Sequence, residues 1–179
     1  MRSPVLPALF ATLLAAAPLA AQTAHNADAP IDFGADNIEL RDKANRAVLT
    51  GSVSVKQAEM TLNAARMTVS YTGQVVGGNP QVSRLDASGG VTVRRPDQTA
   101  RSQFAIYDLN RRVITMLGAV TLTQGGNTVN GGRLTINLDT GRAVIDGSSV
   151  RGSAGAAAGS TTTAPSGRVT GTFSVPKRN

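Results

Sequence analysis

Apolar and polar residues alternate one for one through most of this chain, the period that sends successive side chains to opposite faces of a β-strand. Ala47, Leu49, Gly51, Val53 and Val55 share one face, with Val48, Thr50, Ser52 and Ser54 between them. The pattern returns as Leu85, Ala87, Gly89, Val91 and Val93, and again as Ile114, Met116, Gly118, Val120 and Leu122. Shorter runs keep the period: Ile31 with Phe33, Ile38 with Leu40, Met60 through Ala64, Met67 through Tyr71, Phe104 with Ile106, and Leu134 through Leu138. A 3.6-residue period is absent beyond the first twenty or so residues, so the expectation is an all-β domain of consecutive strands.

Turn chemistry divides the strands. The charged stretch from Arg41 to Arg46, the segment from Arg94 to Gln98 with Pro96, Asp108 to Arg111, Gly125 to Asn127 and Asp139 to Arg142 all carry residues that favour tight turns. Thr72 to Pro80, with Gly73, Gly77 and Gly78, is a longer loop. A glycine followed by alternating apolar residues recurs at Gly51, Gly89 and Gly118, at spacings of 38 and 29 positions. A period in that range marks a supersecondary unit packed on copies of itself. These glycines lie on the apolar face, where they leave space or permit a bend.

The ends differ in character. Arg2 precedes an apolar run from Val5 to Leu19, about 15 residues long and interrupted by Pro7 and Pro18, which is short of the roughly 20 that span a bilayer. Residues 1–21 therefore read as a cleaved secretory signal. Residues 22–29 are small and polar and read as disordered, 30–147 as the β-domain, and 148–166, built from Ser, Gly, Ala and Thr, as a flexible insert. Alternation resumes over 167–176, a last strand, before a tail at 177–179.

Composition narrows the chemistry. With no cysteine and His25 as the single histidine, the chain offers no thiolate nucleophile, no thiolate metal site and no histidine cluster. No cofactor is expected. Asp86, Asp97, Asp108, Asp139 and Asp146 fall in or beside turns, where they cap backbone groups, and no carboxylate pair suggests glycosidic cleavage. Loss of Arg2 with the signal lowers the 18 Lys and Arg to 17, against 11 Asp and Glu, so the partner is expected to be anionic. Aromatic residues make up only 3% of the chain, too few for the stacking platforms of single-strand nucleic-acid binders. Nucleic acid is not expected; a phosphorylated glycolipid or membrane surface is. Arg94, Arg95 and Arg101 near one turn, and Arg111 and Arg112 near another, either meet lipid phosphates or solubilise hairpins.

Three runs in order, Pro30 to Leu40 (PIDFGADNIEL), Ala47 to Gln57 (AVLTGSVSVKQ) and Leu62 to Val69 (LNAARMTV), resemble the opening of the LptA/OstA-like family. A second pass, Ala100 to Asp108 (ARSQFAIYD) and Val113 to Gly125 (VITMLGAVTLTQG), repeats the family phrase. The chain departs from the pattern at Gln57, Ala58 and Glu59 and in its low-complexity insert. The resemblance implies a twisted, slightly open β-jellyroll and a periplasmic lipopolysaccharide-transport protein without enzymatic activity. It further implies an apolar groove for the acyl chains of lipid A, and head-to-tail self-association into a bridge between an LptC-like inner-membrane protein and an LptD-like outer-membrane protein. The edges for that stacking are Pro30 to Phe33 and Arg168 to Val175.

The groove lining expected on this basis is Ile31, Phe33, Ile38, Leu40, Leu49, Val53, Val55, Leu62, Val69, Leu85, Val91, Val93, Phe104, Ile106, Met116, Val120, Leu122, Leu134 and Ile136. Ile31 and Phe33 near an open end, and Phe104 and Met116 in the middle, are the expected lipid contacts; each equally suits the core of any β-sandwich. Two other readings stay open. One is an LptC-like component that retains its N-terminal anchor, the other an exported structural or adhesive β-solenoid.

Overall fold

Ten antiparallel strands form one sheet in the computed structural model, which describes residues 25–73, 78–147 and 170–172. They are β1 (Ile31–Gly34), β2 (Asn37–Arg41), β3 (Arg46–Gln57), β4 (Met60–Thr72), β5 (Gln81–Arg94), β6 (Gln98–Asp108), β7 (Val113–Gln124), β8 (Asn127–Asn137), β9 (Ala143–Asp146) and β10 (Thr170–Thr172). The long strands pair in sequence order from β3 to β8. Each end of the sheet carries a split edge. β1 and β2 lie on successive parts of β3, while β9 and β10 lie on successive parts of β8. A single 3₁₀ turn, Asp42–Ala44, is the helical element among the described residues.

The repeated glycine phrase sits at the middle of β3, β5 and β7, where each strand carries a bulge. Gly51 and Ser52 oppose Ala65 alone, Gly89 and Gly90 oppose Gln103, and Gly118 and Ala119 oppose Gly132. Both residues of every bulge are left-handed, with φ of 77° and 46°, 83° and 76°, and 79° and 46°. Glycine is needed first in each pair for a second reason. A Cβ on Gly89 would come within 2.8 Å of the Ala65 Cβ, and one on Gly51 would strike the Asp36 carboxylate. Bulges stacked on alternate strands bend the sheet along a line, folding it into two facing layers. The result is a twisted, slightly open β-jellyroll whose edges do not meet.

The bend also resets the side-chain phase. On β4 the buried set is Met60, Leu62 and Ala64 before the bulge line, but Met67, Val69 and Tyr71 after it. On β6 it is Gln98, Ala100 and Ser102, then Ala105 and Tyr107. Residue pairs that straddle the line, Ala65 with Arg66 and Gln103 with Phe104, both turn outward.

This corrects one expectation. Phe104 and Ile106 belong to the outer face, Phe104 being 50% exposed and paired across the strands with Ser88 and Leu117. Strict alternation from Phe104 misreads the phase because the neighbours on both sides each contribute an extra residue.

Between the layers lies one continuous apolar cluster that includes Leu49, Met67, Leu85, Tyr107, Ile114, Met116, Leu134 and Leu138, none more than 1% exposed. Of the segment 22–29 expected to be disordered, residues 25–29 are described. His25 to Ala29 form a turn, with Ala27 N–H donating to His25 O and Ala29 N–H to Asn26 O, and Gln57 anchors it. The expected signal at 1–21, the insert at 148–166 and the tail at 177–179 lie outside the described residues.

Candidate functional site

At the edge where β1 and β2 flank β3, β1 lies on β3 beyond the bulge line and β2 before it, so the two short strands belong to the two facing layers. Strand register shows this directly. Phe33 pairs with Val55, Ile38 with Leu49 and Leu40 with Ala47, and each of those β3 partners faces the core. Directly paired residues share a face, so Phe33, Ile38 and Leu40 point inward. Yet they are 48%, 45% and 56% exposed. They are core-type residues on the core side of the sheet that nevertheless stay about half exposed.

A cavity of about 530 Å³ opens there. Its walls are mostly apolar: Ile31, Phe33, Leu40, Ala47, Val69, Tyr71, Val82 and Leu109, with Pro80. Asp28, Gln57 and Gln81 are the polar residues of the lining, which Ala27 and Ala29 complete. An apolar recess with few polar groups, continuous with a packed interior, suits a ligand with a hydrocarbon part.

Of the expected lining, Ile31, Phe33, Leu40 and Val69 border the cavity, and Ile38 stands exposed on the same inner face beside it. Leu49, Val53, Val55, Leu62, Leu85, Val91, Val93, Met116, Val120, Leu122, Leu134 and Ile136 are buried deeper between the layers. Phe104 and Ile106 are on the outside. Sequence reasoning left Ala47, Gln57, Tyr71, Pro80, Gln81, Val82, Leu109 and the Ala27–Ala29 turn out of the lining. Gln57 had a signal, since it continues the inward alternation of Val53 and Val55; the turn had none.

Gln57 organises the polar wall. It is 2% exposed, and its amide is fully used. Oε1 accepts the Tyr107 hydroxyl at 2.7 Å and lies 3.3 Å from His25 Nε2, while Nε2 donates to Ala27 O at 2.9 Å and Ala29 O at 3.0 Å. Burial pushes the Tyr107 phenol up to about 12, so it stays a hydrogen-bond donor at neutral pH. Burial also lowers His25 below its ordinary value, Arg95 adds to that, and the Gln57 contact and Glu59 oppose it.

Arg112, in the β6–β7 turn, closes the same side by pairing with Asp28 at 2.6 Å and Asp139 at 3.0 Å. Across the cavity the Tyr71 hydroxyl donates to Asp42 Oδ1 at 2.9 Å. Arg94, Arg101 and Arg111 stay at the surface, Arg111 only 3.8 Å from Asp108. The described residues contain no cluster of three metal-ligating side chains.

Residues 33–142 match the family described as LptA/(LptD N-terminal domain) LPS transport protein. An uncharacterized protein of Rhizobium meliloti (strain 1021) is 34% identical over 149 residues, covering 77% of this chain and 80% of that protein. Among solved structures, LptH of Pseudomonas aeruginosa is similar in fold, with a TM-score of 0.64 at 22% identity over 84% of this chain and 99% of its own. LptH is described as the LptA homologous periplasmic component of a conserved lipopolysaccharide transport device.

Proposed function

This chain belongs to the LptA/LptD N-terminal domain family of lipopolysaccharide-transport proteins, and from that premise we propose that it carries lipid A through the periplasm with the acyl chains against the exposed part of its inner face. The observation that supports this most is the row of inward-facing but exposed Phe33, Ile38 and Leu40 beside a 530 Å³ apolar cavity. Ile31, Phe33, Leu40 and Val69 make the first contacts. The buried residues behind them are the continuation into which chains reach if the layers part.

Magnitudes favour a partly open groove. Burying a CH2 contributes about 0.8 kcal/mol, so a fourteen-carbon chain contributes roughly 10. Several chains fully buried would pass the practical ceiling of about 18 to 21 kcal/mol and would not be released. A partly exposed edge holds part of each chain and passes it on. No covalent step is required, and direction comes from an energy source outside this chain.

Export rests on the proposed signal at 1–21. The two split edges, β1 with β2 and β9 with β10, are the surfaces for head-to-tail self-association and for LptC-like and LptD-like partners, because an edge strand presents unpaired backbone groups. Native mass spectrometry of the mature chain with lipopolysaccharide tests the reading. Phe33→Asp should abolish the bound species while Phe104→Asp, on the outer face, keeps it. Equal loss or equal retention in both variants would remove the groove from the assignment.

A further inference from the structure

The cavity is open to solvent on the side of Phe33 and Leu40, while the turn His25 to Ala29 supplies part of its wall through Ala27, Asp28 and Ala29. How this turn is held differs from how the strands around it are held. β1, which follows directly, is fixed to β3 by a ladder from Ile31–Gln57 to Gly34–Ser54. No strand ladder among the described residues includes 25–29. The turn is instead pinned by side chains: the Gln57 amide on Ala27 O and Ala29 O, the His25 contact with the same amide, and Arg112 on Asp28.

These attachments reach both layers. Gln57 belongs to β3 beyond the bulge line and Tyr107 to β6 on the other side of it, and the two meet at 2.7 Å. Arg112 adds the turn that follows Tyr107's strand and is itself braced by Asp139. The turn is therefore fastened where the facing layers come together. Its attachments are few and side-chain based, so it can leave without unzipping a strand.

We propose that His25–Ala29 is a displaceable strap forming one wall of the cavity, latched by Gln57 and by the Arg112–Asp28 pair, and that an acyl chain enters to full depth only when the strap swings off. The proposal rests on the lipid-shielding reading above and specifies how that site is opened. An acyl chain cannot replace the carbonyl and carboxylate partners that Gln57 and Arg112 would lose. Release thus exchanges these polar contacts for water at the widened mouth, while the chain takes the apolar wall beneath.

The absence of native cysteine allows a direct test on the full mature chain. Asp28→Cys and Arg112→Cys are combined and bridged with a short bismaleimide, and binding of a dansylated fatty acid is followed by stopped-flow fluorescence. The reference is the same double variant capped with N-ethylmaleimide, and core amide exchange verifies that both are folded. The bridged protein should bind at least about tenfold more slowly, as expected when the competent state is made rare. In the wild-type chain the amides of residues 25–29 should exchange faster once the probe saturates.

Equal association rates for bridged and capped protein would overturn the strap while leaving the groove intact. Failure of wild-type, capped and bridged protein alike to bind the probe would overturn both, and would be recognised by its independence of the bridge.

Discussion

Tyr107 on β6 donates its hydroxyl proton to Gln57 Oε1 on β3 at 2.7 Å, joining residues 50 positions apart in sequence and in opposite layers of the folded sheet. Both are almost fully buried. Tyr107→Phe leaves the amide oxygen with only the longer His25 contact, and an under-satisfied buried acceptor costs about 1 to 3 kcal/mol. Urea denaturation should show that loss, with the midpoint lowered and the slope unchanged.

The same phenol sets an alkaline limit. Its pKa is pushed up to about 12 from an ordinary 10.0, so the unfolded chain loses this proton first as pH rises. The stability it contributes is complete below pH 10, falls from there, and is lost as pH passes through about 12. Thermal melts across that window should decline less steeply for Tyr107→Phe than for the wild-type chain. Parallel curves would mean that the hydroxyl is not held in the interior.

His25 gives the opposite edge of the pH range. Burial lowers its pKa below 6.5, so the folded strap favours neutral imidazole, and acidification protonates the unfolded or released form first. Its contribution is present above pH 6.5 and is lost as pH falls through the folded pKa. Protonation does not break the Gln57 contact, since Nε2 can still donate. It charges a half-buried ring near Arg95. Hydrogen exchange at residues 25–29 should therefore accelerate between about pH 7.5 and about pH 5.5 after correction for intrinsic rates, and His25→Gln should remove the pH dependence.

The bulge line makes a prediction that separates strain from collision. Gly90→Ala meets open space and suffers only its left-handed φ of 76°, a penalty of about 1 to 2 kcal/mol. Gly89→Ala has a similar φ of 83° but also drives a methyl to 2.8 Å from the Ala65 Cβ, adding roughly 1 kcal/mol or more of overpacking. Urea midpoints should fall in that order. If the two variants are equal, the approach of β4 to β5 at this point has relaxed.

How much of this was legible in the chain depended on where the period held. Leu49, Val53, Val55, Leu85, Val91, Met116 and Val120 fall on strands whose inward phase runs unbroken through the bulge, and alternation places them correctly. The glycines at 51, 89 and 118 announced the bend, yet its effect on the partner strand was hidden. Around residue 104 both registers of β6 carry apolar residues, Phe104 and Ile106 in one and Ala105 and Tyr107 in the other, and only the two-for-one pairing with β5 and β7 decides between them. Exposure of Phe33, Ile38 and Leu40 was not readable either, because it depends on how the two layers meet around the cavity at this edge. The strap was invisible for a simpler reason: Ala27 and Ala29 act through backbone carbonyls, which carry no residue signature.

That correction to β6 can be measured. Met116 has no exposed surface, and Met116→Ala should cost about 2 to 5 kcal/mol. Phe104→Ala removes a larger side chain from the outer face and should stay within about 0.5 kcal/mol. A large loss at Phe104 would restore the simple alternating reading and contradict the phase change.

Head-to-tail assembly through the split edges predicts a pattern of cross-links that chance contact does not produce. β1 and β10 lie at opposite ends of the strand order, so Asp32→Cys and Thr170→Cys within one chain are on different edges, in a background without other thiols. If the β1 edge of one copy adds to the β10 edge of the next, the two strands lie about 4.8 Å apart, and a flexible bismaleimide tolerates a shift in register. Dilute protein should then give a ladder of linear multimers for this double variant, whereas either single variant stops at dimers. Replacing Asp32→Cys by Phe104→Cys keeps two exposed thiols but moves one to the outer face, and should reduce the ladder to its collisional background. Equal ladders from both pairs would mean that the edges do not select one another, and that copies of this chain meet by other surfaces.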